Sequence, residues 1–320
     1  MTFQKSPAEI PHLVAIVGPT ASGKSSLGVF LAEKLGGEVV ACDSTQLYRG
    51  LDIGTAKPTE AERRGVRHHL LDVLGTGEAA TAGGYRELAQ RVLDDLKTRR
   101  KLPVFTVGTG LYLRALLEGL ADLPQRSEEI RERLRISAAT HRPGHLHGLL
   151  RRIDPGGAKR IAAADEQKLI RAIEVCLLTR APLSQAHLAP RLPLAGWHAI
   201  KIGLMPPREE LYRRIEQRTD AMLQAGWLDE VRGLLASGAP SVAKPFDFIG
   251  YRELRDVLQG KMTLETARAA IQQATRRYAK RQLTWFRREP GVRWFDGFGS
   301  EADLCAQVLG WLKFALQRNT

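Results

Sequence analysis

His12-Leu13-Val14-Ala15-Ile16-Val17 runs directly into Gly18-Pro19-Thr20-Ala21-Ser22-Gly23-Lys24-Ser25, and the reading of that junction decides the fold. The first six residues are apolar and partly β-branched, so they spell a short buried strand. The next eight match G-x-x-x-x-G-K-[ST], the P-loop pattern, in which glycines let the backbone wrap an anion with its N–H groups turned inward. From Ser25 to Leu35 the apolar positions Leu27, Phe30, Leu31 and Leu35 recur at helical spacing. Gly36-Gly37 ends that helix, and Val39-Val40-Ala41-Cys42 spells a second strand closing on Asp43. Strand, glycine loop, helix and strand in that order predict a parallel sheet with a phosphate site at the end of its first strand. There Lys24 reaches a terminal phosphate and Ser25 is placed to ligate Mg²⁺, while the helix N-terminus adds partial positive charge.

Outward from this unit, Tyr85, Leu88, Ala89, Val92, Leu93 and Leu96 repeat at threes and fours, predicting a helix over 84–100. Pro103 to Val107 reads as a third strand, followed by Gly108-Thr109-Gly110 and a helix over Leu111–Leu117. The character changes near Leu123-Pro124. From Ser127 to Arg180 the pattern is helical and dense in arginine, and Pro182, Pro190 and Pro193 mark its exit. Trp197 to Leu204 reads as a strand again. Arg208 to Gln317 is largely helical, with Leu304, Val308, Trp311, Leu312 and Ala315 forming a core stripe. The expected fold class is α/β: a P-loop NTPase-like parallel sheet core flanked by helices, with an all-helical insertion domain. The core is expected to comprise residues 1–122 and 196–320, the insertion residues 123–195.

The 320 residues are 43% hydrophobic and 26% charged, which excludes a disordered, collagenous or coiled-coil chain. No apolar run approaches the roughly 18–20 residues that span a bilayer, and residues 1–11 lack a secretory apolar core, so no membrane is expected. Three scattered cysteines without a CxxC spacing fit a cytoplasmic protein. Lys and Arg exceed Asp and Glu by 48 to 35, a formal +13. Composition alone weighs a polyanionic partner equally against a generic arginine-rich surface. Part of the excess is concentrated in Arg276–Arg288, which holds six basic residues and no acidic one. Tyr278, Trp285 and Phe286 interleave them, suiting either phosphate contacts with base stacking or a helix whose aromatics are core. His68-His69, His141, His145 and His147 lack partners at metal-ligand spacing and read as solvated or hydrogen-bonded.

Asp43-Ser44-Thr45-Gln46 closes the second strand, at the edge where open α/β sheets bind ligands. A carboxylate at Asp43 suits a metal ligand, a general base or a turn cap. Gln46 carries a donor and an acceptor, as reading a base edge requires. Thr109, after the third strand, offers a hydroxyl to a phosphate or belongs to a plain turn.

In order along the chain, Gly18–Ser25, Asp43–Lys57, His68–Asp72, Gly108–Leu113, Asp165–Val175, Gly250–Leu254 and Tyr278–Arg287 together resemble the bacterial tRNA dimethylallyltransferases, also called tRNA isopentenyltransferases. The resemblance implies transfer of a dimethylallyl group from dimethylallyl diphosphate to N6 of the adenosine that follows the tRNA anticodon. It implies that Gly18, Pro19, Thr20, Ala21, Ser22, Gly23, Lys24 and Ser25 hold the diphosphate, with Mg²⁺ as cofactor. Asp43 matches the family's general base, and Lys24, Thr109 and Arg218 match other positions of the transfer site. The anticodon stem-loop is implied to meet Asp43, Ser44, Thr45 and Gln46, together with Thr109 and Arg131. Further implied contacts are Gln167-Lys168-Leu169-Ile170-Arg171, Asp247-Phe248-Ile249-Gly250-Tyr251-Arg252 and Lys280-Arg281-Gln282-Leu283-Thr284-Trp285-Phe286-Arg287. Among the departures from the family's pattern, Arg180 stands where glycine is frequent. A cytoplasmic monomer acting on tRNA is expected. The rivals are a P-loop small-molecule kinase, an enzyme that prenylates free adenine nucleotides, and a non-catalytic RNA-binding protein.

Overall fold

The computed structural model describes residues 11–121, 123–186, 191–238 and 243–318. Residues 1–10 and Pro190, which entered the reading of a leader and of the insertion's exit, lie outside them. Six strands build one sheet: β1 (His12–Val17), β2 (Glu38–Cys42), β3 (His68–His69), β4 (Pro103–Val107), β5 (His198–Leu204) and β6 (Val292–Phe295). Their order is β3-β2-β4-β1-β5-β6, with every neighbouring pair parallel. The expected parallel α/β sheet flanked by helices is thus found.

The central strand is apolar at every residue from Leu13 to Val17 because both faces of a parallel sheet are covered. Leu13, Ala15 and Val17 point into one core with Phe105, Val107 and residues of the helix Ala82–Thr98. Val14 and Ile16 point into the other, against the helices Lys24–Leu35 and Ala302–Arg318. Leu304, Val308 and Leu312 are buried there, as their spacing predicts. Gly28 lets the first helix approach closely, since a Cβ there would meet Thr106 Cγ2 at 2.7 Å.

Two edge strands were not legible. β3 has two residues and β6 four, too few to show a period, and β6 lies in the third read as largely helical. His68-His69 is therefore a strand, and its second imidazole is engaged: His69 Nε2 lies 2.7 Å from Glu38 Oε2. Glu38 is buried and also receives a two-pronged guanidinium from Arg99, with Nη2 to Oε2 at 2.9 Å. The Arg99 hydrogen bonds hold its carboxyl down to about 2, against the opposing effect of burial. With the folded value below the ordinary 4.5, this stability is complete above about pH 4.5 and lost as pH falls toward about 2. Glu38→Gln is expected to cost about 2 kcal/mol at neutral pH, since it trades a charge-assisted pair for a neutral amide and leaves Arg99 only Asp95 as a carboxylate partner. Urea titrations should show that deficit shrinking as pH drops below about 4.

The chain divides into two compact units, Met1–Leu117 with Leu194–Thr320, and Glu118–Pro193. The second is helical and has its own core, with Leu134, Leu146, Leu150, Leu169, Ile173 and Val175 inside. Its centre also holds Glu174, fully buried, which accepts from Ser127 N at 2.8 Å, from Arg131 at 2.8 and 3.0 Å, and from Arg171 at 2.6 Å. Arg180 caps the helix Glu166–Thr179 with φ 54°, a left-handed conformation that glycine adopts without penalty. Arg180→Gly should therefore stabilise this unit by about 1 kcal/mol, read as a rise in its unfolding midpoint.

Candidate active site

Both glycines of the phosphate loop are required by backbone shape. Gly18 has φ 147° and Gly23 φ 84°, and a Cβ on Gly23 would meet Ser300 N at 2.8 Å. The approach of 298–300 is sealed by Gly299 N donating to Ser22 O at 2.9 Å. Two distant side chains hold Thr20: its N–H donates to Gln282 Oε1 at 2.7 Å, and Arg218 Nη2 donates to its hydroxyl at 2.6 Å. Lys24 curls back on the loop, donating to Gly18 O at 3.0 Å and Pro19 O at 2.7 Å. Burial pushes its ammonium down to about 7, opposed by Asp43 and reinforced by Arg218. Burial likewise lowers Arg218, again opposed by Asp43.

The loop opens on a cleft of about 660 Å³ at the carboxyl ends of the strands. Lys24, Ser25, Arg218 and Arg281 supply cationic and hydroxyl groups to its wall, Asp43 a carboxylate, and Met222, Trp227, Phe248 and Ile249 apolar surface. Asp43 divides its work between its two oxygens. Oδ1 accepts from Thr45 N at 2.9 Å and Thr45 Oγ1 at 2.8 Å, the turn-cap arrangement. Oδ2 lies against Gly108, where a Cβ would come within 1.9 Å of it. Thr109 Oγ1 accepts from Ser44 N at 3.0 Å and donates to Ser44 Oγ at 3.3 Å. Its hydroxyl thus braces the Asp43 turn, the second of the two roles its position allows.

Gln46 lines the cleft with its Nε2 donating to Thr55 O at 3.2 Å and Ala56 O at 3.1 Å. The segment it grips is pinned twice. Buried Lys57 donates to Tyr48 O at 2.6 Å, Asp52 at 2.7 Å and Asp72 at 2.5 Å. Glu230 accepts from three successive amides, Asp52 N, Ile53 N and Gly54 N, at 2.7, 2.8 and 3.1 Å, and from Tyr251 OH at 2.6 Å. The Trp227 ring fits a slot between two glycines: a Cβ on Gly54 would meet Nε1 at 2.0 Å, and one on Gly250 would meet Cζ2 at 1.9 Å.

The stretches read as RNA contacts have two faces each. In the helix Leu264–Phe286 and just past it, Lys280, Arg281, Thr284 and Arg287 are exposed, whereas Gln282 and Phe286 are buried. Leu283 and Trp285 are half-buried, and Trp285 packs on the sheet core with Arg114 4.7 Å from its ring. Of the two readings of these aromatics, core packing is the one their surroundings favour, most plainly for buried Phe286. In the second unit Gln167 and Lys168 are exposed, Leu169 and Ile170 are core, and Arg131 and Arg171 are engaged with Glu174. In the third stretch Asp247 and Arg252 are exposed, Phe248 and Ile249 half-buried, and Gly250 and Tyr251 buried.

Residues 46–289 match the IPP transferase family. The chain belongs to that family. It is 50% identical over 303 residues to the tRNA dimethylallyltransferase of Koribacter versatilis, covering 95% of this chain and 98% of that protein. The full-length tRNA isopentenylpyrophosphate transferase of Bacillus halodurans superposes with a TM-score of 0.71 at 37% identity, over 96% of this chain and 97% of that one. A eukaryotic dimethylallyltransferase acting on tRNA gives a TM-score of 0.76 at 25% identity, over 89% and 74% of the two chains. In this family member, reading the residues did not single out Trp227, Glu230 or Lys57. Gly54 and Gly250 were the available signal for Trp227, since both sit in recognisable stretches and its ring leaves neither room for a Cβ. Nothing near Glu230 in the chain announces three amides 176 to 178 residues away.

Among the described residues, no group of three or more His, Cys, Asp or Glu is placed to hold a metal ion. The hard oxygens at hand are the Ser25 hydroxyl, exposed in the first turn of its helix, and the Asp43 carboxylate on the same cleft. That sparse set fits Mg²⁺, which keeps waters and leans on substrate phosphates. No helix among the described residues is long and apolar enough to cross a membrane.

Proposed function

We propose that this chain transfers a dimethylallyl group from dimethylallyl diphosphate to N6 of the adenosine that follows the anticodon in tRNA, releasing diphosphate. The observation that carries this reading is one cleft holding an anion loop with Lys24 and Arg218, a carboxylate at Asp43, and an apolar wall from Met222 to Ile249. In the transfer, the allylic C1–O bond breaks with its electron pair going to the diphosphate, and the C1–N6 bond forms. Loop amides, Lys24 and Arg218 stabilise the charge that builds on the leaving group. Adenine N6 is a weak nucleophile because its lone pair is delocalised, and Asp43 accepts its proton as the new bond forms. Thr45 holds that carboxylate in place, and Thr109 braces the adjoining Ser44. Ser25, with the diphosphate oxygens, would hold Mg²⁺, whose charge neutralises the leaving group. Gln46 presents a carbonyl oxygen to the base, its amide nitrogen being fixed by Thr55 and Ala56. A base within a stacked loop cannot reach a recessed carboxylate, so the adenosine enters flipped out.

The exposed Lys280, Arg281 and Arg287, and Gln167 and Lys168 of the second unit, serve the RNA backbone. The protein then acts in the cytoplasm, as a monomer. The test incubates it with Mg²⁺, labelled dimethylallyl diphosphate and unmodified tRNA, followed by digestion to nucleosides. Label in N6-dimethylallyladenosine is expected. Label only in free adenine nucleotides, or ATP turnover without transfer, would overturn the assignment. Raising salt from about 50 to 200 mM should weaken tRNA binding roughly 10²- to 10³-fold while changing diphosphate binding far less.

A further inference from the structure

We propose that Gln282 is a positioning residue that holds the phosphate loop and the Asp43 loop at one fixed separation, so that donor and acceptor meet in register. Gln282 sits on the helix Leu264–Phe286 and is 6% exposed. Its carbonyl oxygen accepts from Thr20 N at 2.7 Å, in the phosphate loop. Its amide nitrogen donates to Gly108 O at 2.8 Å, at the end of β4. The amide orientation is unambiguous, because a flip would set a donor against Thr20 N–H and an acceptor against a carbonyl. One turn earlier Tyr278 OH donates to the same Gly108 O at 3.1 Å, so this carbonyl is held from two sides.

Gly108 matters because its Cα hydrogens lie against Asp43 Oδ2, leaving no room for a Cβ. Any shift of Gly108 therefore shifts the carboxylate. Thr20 is equally constrained, with its N–H on Gln282 and its hydroxyl on Arg218. One amide thus spans the half-site for the leaving group and the half-site for the base. A buried amide whose two ends are both bonded is costly to misalign, since each partner would be left unpaired. This assigns Gln282 to the inside of the catalytic centre and removes it from the set of RNA contacts.

The inference rests on the transferase reading above, and its test separates the two. Wild-type protein, dimethylallyl diphosphate and an anticodon stem-loop RNA give the reference rate; a wild type without transfer would sink the transferase reading itself. Gln282→Met keeps the side-chain length and loses both bonds. It is expected to lower kcat about 10²-fold, the cost of misplacing reacting groups by about 1 Å. Affinities for inorganic pyrophosphate and for the RNA should stay within about threefold of wild type, because neither ligand meets Gln282 directly. The double variant Gln282→Met/Asp43→Asn should lose less than the product of the two single losses, since the Gly108 end of Gln282 works through the base. Full additivity, a saturating kcat within about threefold of wild type, or a loss confined to RNA affinity would overturn the proposal. If Gln282→Met does not fold, Gln282→Glu keeps the bond from Thr20 and breaks the one to Gly108; the same drop in saturating kcat is expected of it, and an unchanged kcat overturns the proposal.

Discussion

Asp43→Asn is expected to lower the rate of transfer about 10³-fold while leaving RNA and diphosphate binding in place. The substitution isolates the chemistry because the two carboxylate oxygens have separate duties. An asparagine oxygen still accepts from Thr45 N and Thr45 Oγ1, so the turn that presents residue 43 survives. The amide nitrogen takes the place of Oδ2 against Gly108 with no added heavy atom. What disappears is the ability to accept a proton. Single-turnover transfer to a stem-loop RNA, with binding measured separately, checks the result. Retention of more than about a tenth of the wild-type rate would mean that the proton leaves by another route.

Lys24→Met should weaken binding of inorganic pyrophosphate at least about 10²-fold and yet raise the unfolding temperature of the ligand-free protein. The reason is that the cleft holds a buried ammonium whose pKa has fallen from 10.5 to about 7. Between those values the unfolded chain binds more protons than the folded one, so stability rises with pH across that window. Below about pH 7 the folded state carries the full cost of charge burial, and methionine removes it. A gain of about 1 kcal/mol, or roughly 2–4 °C, is expected at pH 6, shrinking toward pH 10. The pH dependence of binding follows with the same sign. A diphosphate selects charged Lys24, so wild-type affinity for pyrophosphate should decline as pH climbs from about 7 to 9, with proton uptake visible by calorimetry in buffers of different ionisation heat. The Lys24→Met protein should show neither effect. A variant that is destabilised at pH 6, or one that still takes up a proton, would refute this account of the lysine.

Much of the architecture was legible because local rules and the tertiary structure agree there. The run from His12 to Ser25 needed a strand, a left-handed glycine turn and a helix, and each demand is met within a few residues of its cause. The stripe Leu304, Val308 and Leu312 pointed inward for the same reason, because helical period and burial coincide. β3 and β6 were not legible, since strands of two and four residues gain their identity from a neighbour's hydrogen bonds. The basic helix shows the limit of stretch-by-stretch reading. Arg281 and Arg287 face outward, but Gln282 and Phe286 between them face inward, and only the packed helix sorts the two sets.

By itself the chain determined that an anion loop follows the first strand and that Asp43 ends the second. It also determined that a basic excess of +13 is partly gathered in one run. These are properties of consecutive residues, where steric and electrostatic demands act over a few bonds. Tertiary structure decided which groups those residues meet. Arg218 reaches Thr20 across 198 residues, Gln282 reaches it across 262, and Glu230 clamps the 52–54 amides across 176 to 178. Hydrogen bonds of that span leave no periodicity and no local composition behind. They depend on where the sheet and helices place two otherwise unrelated stretches of chain, which no local pattern encodes.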